Sequence, residues 1–222
     1  MAVTLGSRNV GDIIKIRENG VPVDFLIVHK GLPPSYYDGS CNGIWVLRKN
    51  VHSELAVDGS SPNYPASQVA AWLENTYYNM FDAAVKAGIR HARIPYRYWA
   101  GSATAVATGA AGAAVHCFFL SSGELGEDSE TWYNKNPAFS SVLDYFRECT
   151  GSNNLEKRIA YDAGGTKAIW TLRSIRDSCI SHSVCSSSVP VSASTSGMPA
   201  TDVSTDVTPA SSAVPATTGQ ST

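Results

Sequence analysis

The first thirty residues carry the pattern of two β-strands joined by a tight turn. Residues 11–17 and 21–30 are rich in β-branched and other apolar residues, and a short polar segment containing Asn19 and Gly20 lies between them. An Asn-Gly pair favours hairpins because both residues readily adopt positive φ angles. The pattern therefore predicts an opening β-hairpin.

The spacing of apolar residues becomes helical after residue 68. Val69, Trp72 and Leu73 stand at positions i, i+3 and i+4, which places them on one face of a helix. The polar residues 74–76 interrupt this face, so two short helices are predicted in place of one. The second is expected to end at Gly88, because glycine commonly terminates helices.

Short apolar runs elsewhere predict further strands, and one more stretch predicts a helix. Residues 100–114 are rich in glycine, alanine and threonine and are interpreted as a flexible loop. The apolar spacing from Phe139 to Phe146 predicts a helix that ends at Gly151. The additional strands are predicted at residues 44–48, 89–98, 115–120, 158–161 and 168–173. Strands around a central helical stretch give an α+β domain with a mainly antiparallel sheet and two or three short helices.

The composition of the chain changes after residue 174. All five Trp, ten Tyr and six Phe lie before this point, and residues 178–222 carry no charges other than Asp202 and Asp206. Aromatic side chains bury the largest areas, whereas Ser, Thr, Ala and Pro have little apolar surface to offset the entropy of ordering. We therefore predict a globular domain at residues 1–175 and a Ser/Thr/Ala/Pro-rich tail at residues 176–222 that is disordered or atypical.

The predicted domain is formally neutral. All 17 Lys and Arg residues lie at or before Arg176, and 17 of the 19 acidic residues lie at or before Asp177. Nucleic-acid binding requires a basic surface that neutralises phosphates, so DNA and RNA are not expected partners. The N-terminus has no basic segment followed by an apolar stretch, and no window reaches the ~18–20 apolar residues of a membrane span. We expect synthesis in a cytoplasm without a signal peptide, and no membrane partner.

The chain contains none of the familiar catalytic and cofactor motifs, such as the phosphate-binding Gly-x-x-x-x-Gly-Lys loop or His-Glu-x-x-His. The five His residues are scattered singly, and the five Cys residues are odd in number and widely spaced, which favours free thiols. The acidic cluster Glu124, Glu127, Asp128 and Glu130 matches no calcium-ligand pattern, so we interpret it as a solvated loop. We predict no catalytic residue, no metal and no cofactor.

Aromatic residues concentrate in the predicted loops. Their flat apolar rings and polar edges suit contact with a sugar ring or with a protein partner. The alternative is that several of them pack beneath the loops as a satellite core. The members are Tyr36, Tyr37, Tyr64, Tyr96, Tyr98, Trp99, Trp132 and Tyr133, and all except Tyr96 are assigned as candidate ligand-binding residues.

Several short segments, in their order along the chain, resemble an uncharacterised domain family that recurs in phage, prophage and gut bacterial genomes. The resemblance covers about residues 10–175. The segments that carry it are Gly11-Asp12-Ile13-Ile14-Lys15-Ile16, Val23-Asp24-Phe25-Leu26-Ile27-Val28-His29-Lys30, Ile44-Trp45-Val46-Leu47-Arg48, Ala71-Trp72-Leu73-Glu74-Asn75-Thr76-Tyr77, Phe81-Asp82, Ile94-Pro95-Tyr96, Leu143-Asp144-Tyr145-Phe146, Arg158-Ile159-Ala160-Tyr161 and Trp170-Thr171-Leu172-Arg173-Ser174.

The resemblance implies a C-type-lectin-like fold, shared with phage and retroelement-diversified receptor-binding proteins and with the formylglycine-generating enzyme group. It implies a recognition module and brings no catalytic residue. The chain departs from the family after Ser174, where members continue to a Gly-[Val/Ile]-Arg-Pro-like closing strand. Three explanations of the tail remain open: a disordered linker, a reading-frame change, or a low-complexity sequence that still supplies strands, for example at residues 183–191.

The sequence therefore leads to one main hypothesis and two alternatives. The main hypothesis is a non-enzymatic, virion- or tail-associated module, made in a bacterial cytoplasm, that binds a host-surface glycan or protein through aromatic loops. The first alternative is an assembly protein that contacts neighbouring virion subunits, and a homo-oligomer is possible in either case. The second is an oxidoreductase of the formylglycine-generating type that uses Cys179 and Cys185.

Overall fold

The computed structural model describes residues 5–52, 54–55, 63–100, 104–126, 138–149, 155–168, 173, 187–188 and 192–195. Its strands are, in chain order, β1 (Ile13–Glu18), β2 (Val21–Gly31), β3 (Gly43–Arg48), β4 (Glu54–Leu55), β5 (Ala92–Ile94), β6 (Tyr96–Trp99), β7 (Thr104–Ala107), β8 (Ala113–Val115), β9 (Cys117–Phe118), β10 (Ala160–Tyr161), β11 (Lys167–Ala168), β12 (Ser187–Ser188) and β13 (Ser192–Thr195). The α-helices are α1 (Gln68–Trp72) and α2 (Ala83–Gly88). Single 3₁₀ turns lie at Leu5–Ser7, Gly39–Cys41, Tyr64–Ala66, Tyr78–Met80, Gly109–Ala111, Asp144–Phe146 and Leu155–Arg158.

A five-stranded sheet in the order β1-β2-β3-β13-β9 forms the centre of the fold. Each neighbouring pair of strands in this sheet is antiparallel. Two-stranded antiparallel sheets pair β5 with β8, β6 with β7, β10 with β11, and β4 with β12. Antiparallel strands with short helices make an α+β fold, so this part of the sequence prediction is confirmed.

The opening hairpin forms as predicted. Glu18 pairs with Val21 across the turn, and the two turn residues have positive φ angles, 51° at Asn19 and 77° at Gly20. Positive φ at both central residues is the signature of the type I′ turn, whose twist matches that of the flanking strands. The local Asn-Gly signal therefore specifies this hairpin without help from distant residues.

A β-bulge in β2 explains why three consecutive residues of this strand are buried. The pairing of β2 with β3 shifts register between Ile27 and His29, and Ile27, Val28 and His29 are all buried. A regular strand would point alternate side chains to opposite faces, so the extra residue of the bulge explains the run of buried positions.

The core is organised around Trp45 on β3. Its ring meets the rings of Tyr37 and Phe118 edge to face, at centroid distances of 5.6 Å and 5.1 Å. Its indole Nε1–H donates a hydrogen bond to the carbonyl oxygen of Cys41 at 3.0 Å. The other β3 positions from Ile44 to Leu47 are buried as well, so both faces of this strand are covered.

The helical segment continues past the break that the sequence predicts at residues 74–76. α1 runs directly into a π-helical turn at Leu73–Tyr77 and a 3₁₀ turn at Tyr78–Met80. Leu73 and Tyr77, four positions apart, are fully buried, so the apolar face persists through the polar segment. The break lies at Phe81, where the backbone becomes extended (φ −76°, ψ 144°). The predicted end of α2 at Gly88 is confirmed.

The interpretation of residues 100–114 as a flexible loop is wrong for the part that the structure describes. β7 pairs with β6 and β8 pairs with β5, so the small residues of this tract form two short strands, each with an antiparallel partner. Gly112 is required by close approach, because a Cβ atom there would lie 2.7 Å from the carbonyl oxygen of Ile94. Glycine in this tract thus permits tight strand packing.

The helix predicted from Phe139 to Gly151 is also wrong. Only Asp144–Phe146 forms a 3₁₀ turn, and Leu143 before it is extended (φ −75°, ψ 151°). Phe139, Leu143 and Phe146 are nevertheless fully buried. Their helical spacing reflects burial against separate partners, not a single helix face, and Gly151 lies outside the described residues.

The remaining predicted strands are present in shorter form. The run at 44–48 is β3, the run at 89–98 divides into β5 and β6 at Pro95, and the run at 115–120 contains β9. The predicted strand at 158–161 contains β10, whereas the predicted strand at 168–173 shares only Ala168 with β11, and residues 169–172 lie outside the described part of the chain.

The tail contributes a strand to the central sheet. Ser192–Thr195 pairs with residues 44–47 of β3 on one side and with Cys117 and Phe118 of β9 on the other. These four residues lie beyond the predicted domain boundary at 175, so at this point the low-complexity sequence supplies a strand. The described strand next to β1 is β2, and the tail strand lies on the far side of β3.

Candidate functional site

Two of the predicted ligand-binding tyrosines belong to the core. Tyr37 and Tyr64 are each 7% exposed. The Tyr37 hydroxyl donates to Glu124 Oε1 at 2.6 Å, and the Tyr64 hydroxyl accepts a hydrogen bond from the Phe119 N–H at 3.3 Å. The sequence-based assignment of these two rings to a binding surface is therefore corrected, and the satellite-core alternative describes them.

Glu124 and Arg173 form an ion pair in the interior of the protein. Both side chains have no exposed surface, and Arg173 Nη1 lies 2.6 Å from Glu124 Oε2 while Nη2 contacts Oε1. Arg173 Nε also donates to the carbonyl oxygen of Pro95 at 3.0 Å. The Ser121 N–H donates to Glu124 Oε2 at 2.8 Å. Every oxygen of this buried carboxylate therefore has a hydrogen-bond donor, as buried charges require.

This ion pair corrects the interpretation of Glu124 as part of a solvated acidic loop. Burial by itself lowers the pKa of Arg173, but the charge and hydrogen bonds of Glu124 outweigh this effect and raise it above its ordinary value. Burial and the neighbouring Glu124 raise the pKa of Tyr37 far above its usual range. Glu127, Asp128 and Glu130 lie outside the described residues. The arginine of the Trp-Thr-Leu-Arg-Ser segment thus acts as a structural anchor.

A second buried polar cluster joins β1, β3 and the helical segment. Arg48 Nε lies 3.0 Å from Glu18 Oε1, and the Tyr77 hydroxyl donates to the same carboxylate. Glu18 is 6% exposed. His52 contacts the ring of Tyr77 edge to face at a centroid distance of 5.4 Å. These contacts connect β1, β3 and the helical segment. Within the cluster, the charges of Glu18 and Arg48 face each other.

Tyr96 and Tyr98 lie on one face of the β6–β7 hairpin, and Tyr96 packs in part against the hydrophobic core. Tyr96 and Tyr98 are two residues apart on β6, both half-buried, with ring centroids 5.8 Å apart. Their cross-strand partners are Ala107 and Ala105. Because directly opposed residues share a face of the sheet, the two rings stand beside small side chains. We call Tyr96, Tyr98, Ala105 and Ala107 the tyrosine platform.

The inner face of the same hairpin is anchored by Arg97. This side chain is 1% exposed, and its guanidinium lies 5.1 Å from the centre of the Phe139 ring. Successive side chains of a strand point to opposite faces, so Arg97 lies on the face opposite to that of Tyr96 and Tyr98. The hairpin therefore holds the tyrosine platform on a backbone that is tied to the core.

The other predicted ligand-binding residues are distributed differently. Tyr36 is half-buried against the core, and its carbonyl oxygen accepts a hydrogen bond from the Gly109 N–H at 2.9 Å. Trp99 ends β6, and only its backbone is described. Trp132 and Tyr133 lie outside the described residues. Among the predicted ligand-binding residues, the described rings that keep partial exposure are those of Tyr36 and Tyr98, and their role in binding stays a prediction.

A stack of three rings, which the sequence did not predict, lies at the paired strands β5 and β8. His116 lies between Tyr78 and His91, with centroid distances of 4.3 Å and 4.5 Å and nearly parallel planes. Glu74 Oε2 lies 2.9 Å from His116 Nδ1 and orients the central ring. The signal was hidden, because His91 and His116 become neighbours only through the pairing of β5 with β8.

The described cysteines are poorly suited to nucleophilic chemistry. Cys41, Cys117 and Cys149 are free and buried, in agreement with the prediction of free thiols. Burial raises the pKa of Cys41 to about 11 and raises those of Cys117 and Cys149 above their ordinary value. The thiolate is the reactive form, so these thiols are largely protonated at neutral pH. Cys179 and Cys185 lie outside the described residues.

Within the described ranges, no group of three or more His, Cys, Asp or Glu side chains is arranged to hold a metal ion. No helix there is long and apolar enough to cross a bilayer.

His29 makes folding stability sensitive to pH. Its Nδ1 lies 2.8 Å from Asp144 Oδ2, and Arg147 also faces this pair. Burial lowers the pKa of His29, although the negative charge of Asp144 opposes this effect. Burial also lowers the pKa of His52, and there Glu18 has the opposing effect. Below the unfolded value of about 6.5, the unfolded chain therefore binds protons that the folded chain does not.

We expect the free energy of unfolding to be highest above pH 7 and to fall as the pH is lowered from 7 towards 5. Each histidine contributes a slope of at most about 1.4 kcal/mol per pH unit. Urea unfolding of wild type and of His29→Gln at pH 7.5, 6.5 and 5.5 measures this slope. The variant should show the shallower profile, and a steeper one would contradict the assignment.

One known family covers β3, β9 and β13 of the central sheet and the buried Arg173, whereas β1 and β2 precede the matched segment. The family model of a domain of unknown function, DUF6273, matches residues 42–209 of the chain. The chain belongs to the DUF6273 family. It has no significant match among curated proteins or among solved structures.

The extent of the DUF6273 match bears on the domain organisation. It begins just before β3 and continues past β13, whereas the resemblance seen in the sequence stops at about residue 175. The tail strand is thus inside the segment that the DUF6273 family shares. Both tyrosines of the platform and the three rings of the stack also lie within it.

Proposed function

We propose that this DUF6273 protein is a non-enzymatic recognition module that binds a glycan or protein on a host cell surface. The observation that carries the proposal is the tyrosine platform, two partly exposed rings held side by side on the β6–β7 hairpin. Rings of this kind offer a flat apolar face to the C–H groups of a sugar and a hydroxyl to its polar edge.

The partners of the tyrosines favour such contact. Ala105 and Ala107 are too small to cover the rings across the strand pair. Tyrosine is enriched in binding hot spots because it provides a large contact area at a low cost in conformational entropy. The balanced charge of the chain up to Arg176 favours a neutral ligand over a polyanion.

A C-type-lectin-like fold and a place in a phage virion or tail belong to the same proposal. The antiparallel sheet and the small number of short helices are compatible with that fold. The resemblance of the sequence to a phage and prophage family supports the location. In such a module, the tyrosine platform would lie on a surface that faces the host.

Two observations support a function without catalysis. The described thiols are buried with raised pKa values. The buried carboxylates Glu124 and Glu18 are each held by an arginine and a tyrosine hydroxyl. Groups that are fixed in this way stabilise the fold and are not directed at a substrate.

The test is binding by the full-length protein to cells of the bacterial host and to a glycan array. We expect Tyr98→Ala to weaken binding at least tenfold, a typical effect of truncating a hot-spot aromatic. Tyr98→Phe keeps the ring and separates its contribution from that of the hydroxyl. Val21→Ser removes a side chain that is 61% exposed in the β1–β2 hairpin and serves as the matched surface control.

The proposal predicts a specific pattern among these variants. Tyr98→Ala should lose binding while its urea-unfolding midpoint stays close to that of wild type, and Val21→Ser should bind normally. Binding that is unaffected by Tyr96→Ala and Tyr98→Ala together would remove the platform from the site. Wild-type protein that binds neither cells nor glycans, and is absent from purified virions by mass spectrometry, would contradict the function itself.

A further inference from the structure

We propose that the exposed end of the ring stack of Tyr78, His116 and His91, together with Arg93 beside it, is a second binding surface. It takes a segment of a partner protein in which an aromatic side chain stands next to a carboxylate. The stack lies beside β5 and β8, whereas the tyrosine platform lies on β6 and β7. The two surfaces are therefore separate, and either can fail a test without the other.

The pairing of β5 with β8 separates a buried face from an outer face. The residues of the buried face are Ala92, Ile94, Ala113 and Val115. Successive side chains of a strand point to opposite faces, so the intervening and flanking positions form the outer face. The residues of the outer face are His91, Arg93, Ala114 and His116, of which all except the half-buried His116 are exposed. We call these four residues and Tyr78 the stack surface.

Glu74 fixes the central ring of the stack. Its Oε1 accepts hydrogen bonds from the N–H groups of His116 and Cys117, and its Oε2 lies 2.9 Å from Nδ1 of His116. These contacts hold both the backbone and the imidazole of His116, so the ring is ordered before any ligand arrives. Ordering in advance favours affinity, because less conformational freedom is lost on binding.

The two ends of the stack differ in exposure. At one end, Lys86 Nζ lies 5.9 Å from the centre of the Tyr78 ring, and the Tyr78 hydroxyl donates to the carbonyl oxygen of Lys86 at 3.4 Å. At the other end, His91 stacks one face of its ring on His116 at a centroid distance of 4.5 Å and is itself exposed. The second face of the His91 ring can receive one more flat ring in the same stacked geometry.

Arg93 places a positive charge on the same face as His91. Its Nη1 donates to the carbonyl oxygen of Ala110 at 2.7 Å, and Asp38 Oδ2 lies 4.0 Å from its Nε. The side chain is nevertheless 50% exposed, and a guanidinium has five N–H donors in all. The residue opposite it is Ala114, whose small side chain leaves room for a ligand. A guanidinium held in this way suits a carboxylate, which can accept two N–H groups at once.

The charge around His91 favours an acidic partner, although the chain as a whole is close to neutral. Residues 83–93 contain Lys86, Arg90 and Arg93 and no acidic residue, and complementary charge promotes association and selects partners. The His91 ring lies open to water, whereas sites for small molecules enclose most of the ligand surface. The open position therefore suits an aromatic side chain that a partner protein presents.

The probe is the peptide acetyl-Asp-Trp-Asp-amide, titrated at millimolar concentration into the full-length protein with ¹³C-labelled histidine rings. We expect the NMR signals of the His91 ring protons to move upfield, because a stacked indole shields them. A peptide with Leu in place of Trp should bind about fivefold more weakly, as expected from the energies of aromatic pairs. A peptide with Lys in place of both Asp residues measures the contribution of charge.

Variants of the protein separate the contributions of the ring and the charge. His91→Ala should weaken binding of the probe about fivefold, and His91→Phe, which keeps a flat ring, should bind within about twofold of wild type. Arg93→Gln should reduce the preference for the Asp-containing peptide over its Lys counterpart. Tyr98→Ala is the matched control, because it truncates a ring of the tyrosine platform and should leave binding of the probe unchanged.

Several results would overturn the inference. His91 signals that do not move with the probe, or binding that His91→Ala leaves unchanged, would place the indole elsewhere or nowhere on the protein. Binding of indole-3-acetate as tight as that of the peptide would make this a small-molecule site. A wild-type dimer in sedimentation that His91→Ala abolishes would assign the surface to a second copy of the chain. An upfield shift of the His91 signals that requires both the indole and the carboxylates supports the proposal.

Discussion

Arg173→Met is expected to lower the free energy of unfolding by about 3–5 kcal/mol, the usual cost of removing one partner from a buried ion pair. The loss arises because Glu124 would keep its place in the interior without a compensating charge. Both side chains have no exposed surface, so water cannot replace the missing guanidinium. Methionine retains most of the length and apolar volume of arginine, which limits the contribution of a cavity.

The measurement is urea unfolding followed by circular dichroism on the full-length protein. Glu148→Gln is the control, because its carboxylate pairs with Lys157 at the surface and its side chain is 75% exposed. We expect this control to change stability by less than about 1 kcal/mol. The double variant Glu124→Leu with Arg173→Met should recover part of the loss, since two apolar side chains leave no buried charge.

This outcome separates two descriptions of the Trp-Thr-Leu-Arg-Ser segment. If Arg173 is a structural anchor, its replacement lowers stability, and ligand binding falls only in proportion to the unfolded fraction. If Arg173→Met unfolds with the same midpoint as wild type, the buried ion pair is not the origin of the stability assigned to it.

Local signals predicted the parts of the fold that depend on neighbouring residues. Asn19 and Gly20 define the opening turn through their own φ preferences, and α2 ends at Gly88, a residue of low helix propensity. The strand at β3 was recognisable because its apolar run is longer than any turn or surface segment would tolerate. These features need no knowledge of distant contacts.

Long-range contacts decided the parts that the sequence could not predict. Phe139 belongs to no helix, because its ring packs beneath Arg97, a residue on a different hairpin. Glu124 looks like one more surface acid, since its partner Arg173 lies 49 positions along the chain. Neither contact produces a periodic pattern of residues that could be recognised in a single sequence.

The aromatic residues show the same limit for the candidate site. Tyr37 and Tyr98 both fall in predicted loops or at their edges, yet Tyr37 is buried against Trp45 and Tyr98 is partly exposed on β6. Side chains alternate along β6, so Tyr96 and Tyr98 can be assigned to the face opposite Arg97 only once Arg97 is known to be buried. Sequence alone therefore predicted the residue type of the platform and could not choose its members.

Trp45→Ala should produce a loss of similar size, about 3–5 kcal/mol, because a fully buried tryptophan would leave a large cavity at the centre of the sheet. The ring contacts Tyr37 and Phe118 edge to face, and the indole N–H bonds to the carbonyl oxygen of Cys41. Both the packing of β9 and the loop before β3 depend on it.

Trp45→Phe distinguishes these contributions. It retains an aromatic ring and removes the hydrogen bond to Cys41, so we expect an intermediate loss of about 1–3 kcal/mol, including the cost of the unpaired carbonyl. Urea unfolding at constant pH gives both values. Because β13 pairs with β3 at Trp45, Trp45→Ala should also reduce the yield of the disulfide that Ala193→Cys forms in oxidised glutathione with Cys117, which stands opposite position 193. An unchanged link would mean that backbone pairing holds the tail strand independently of the aromatic core.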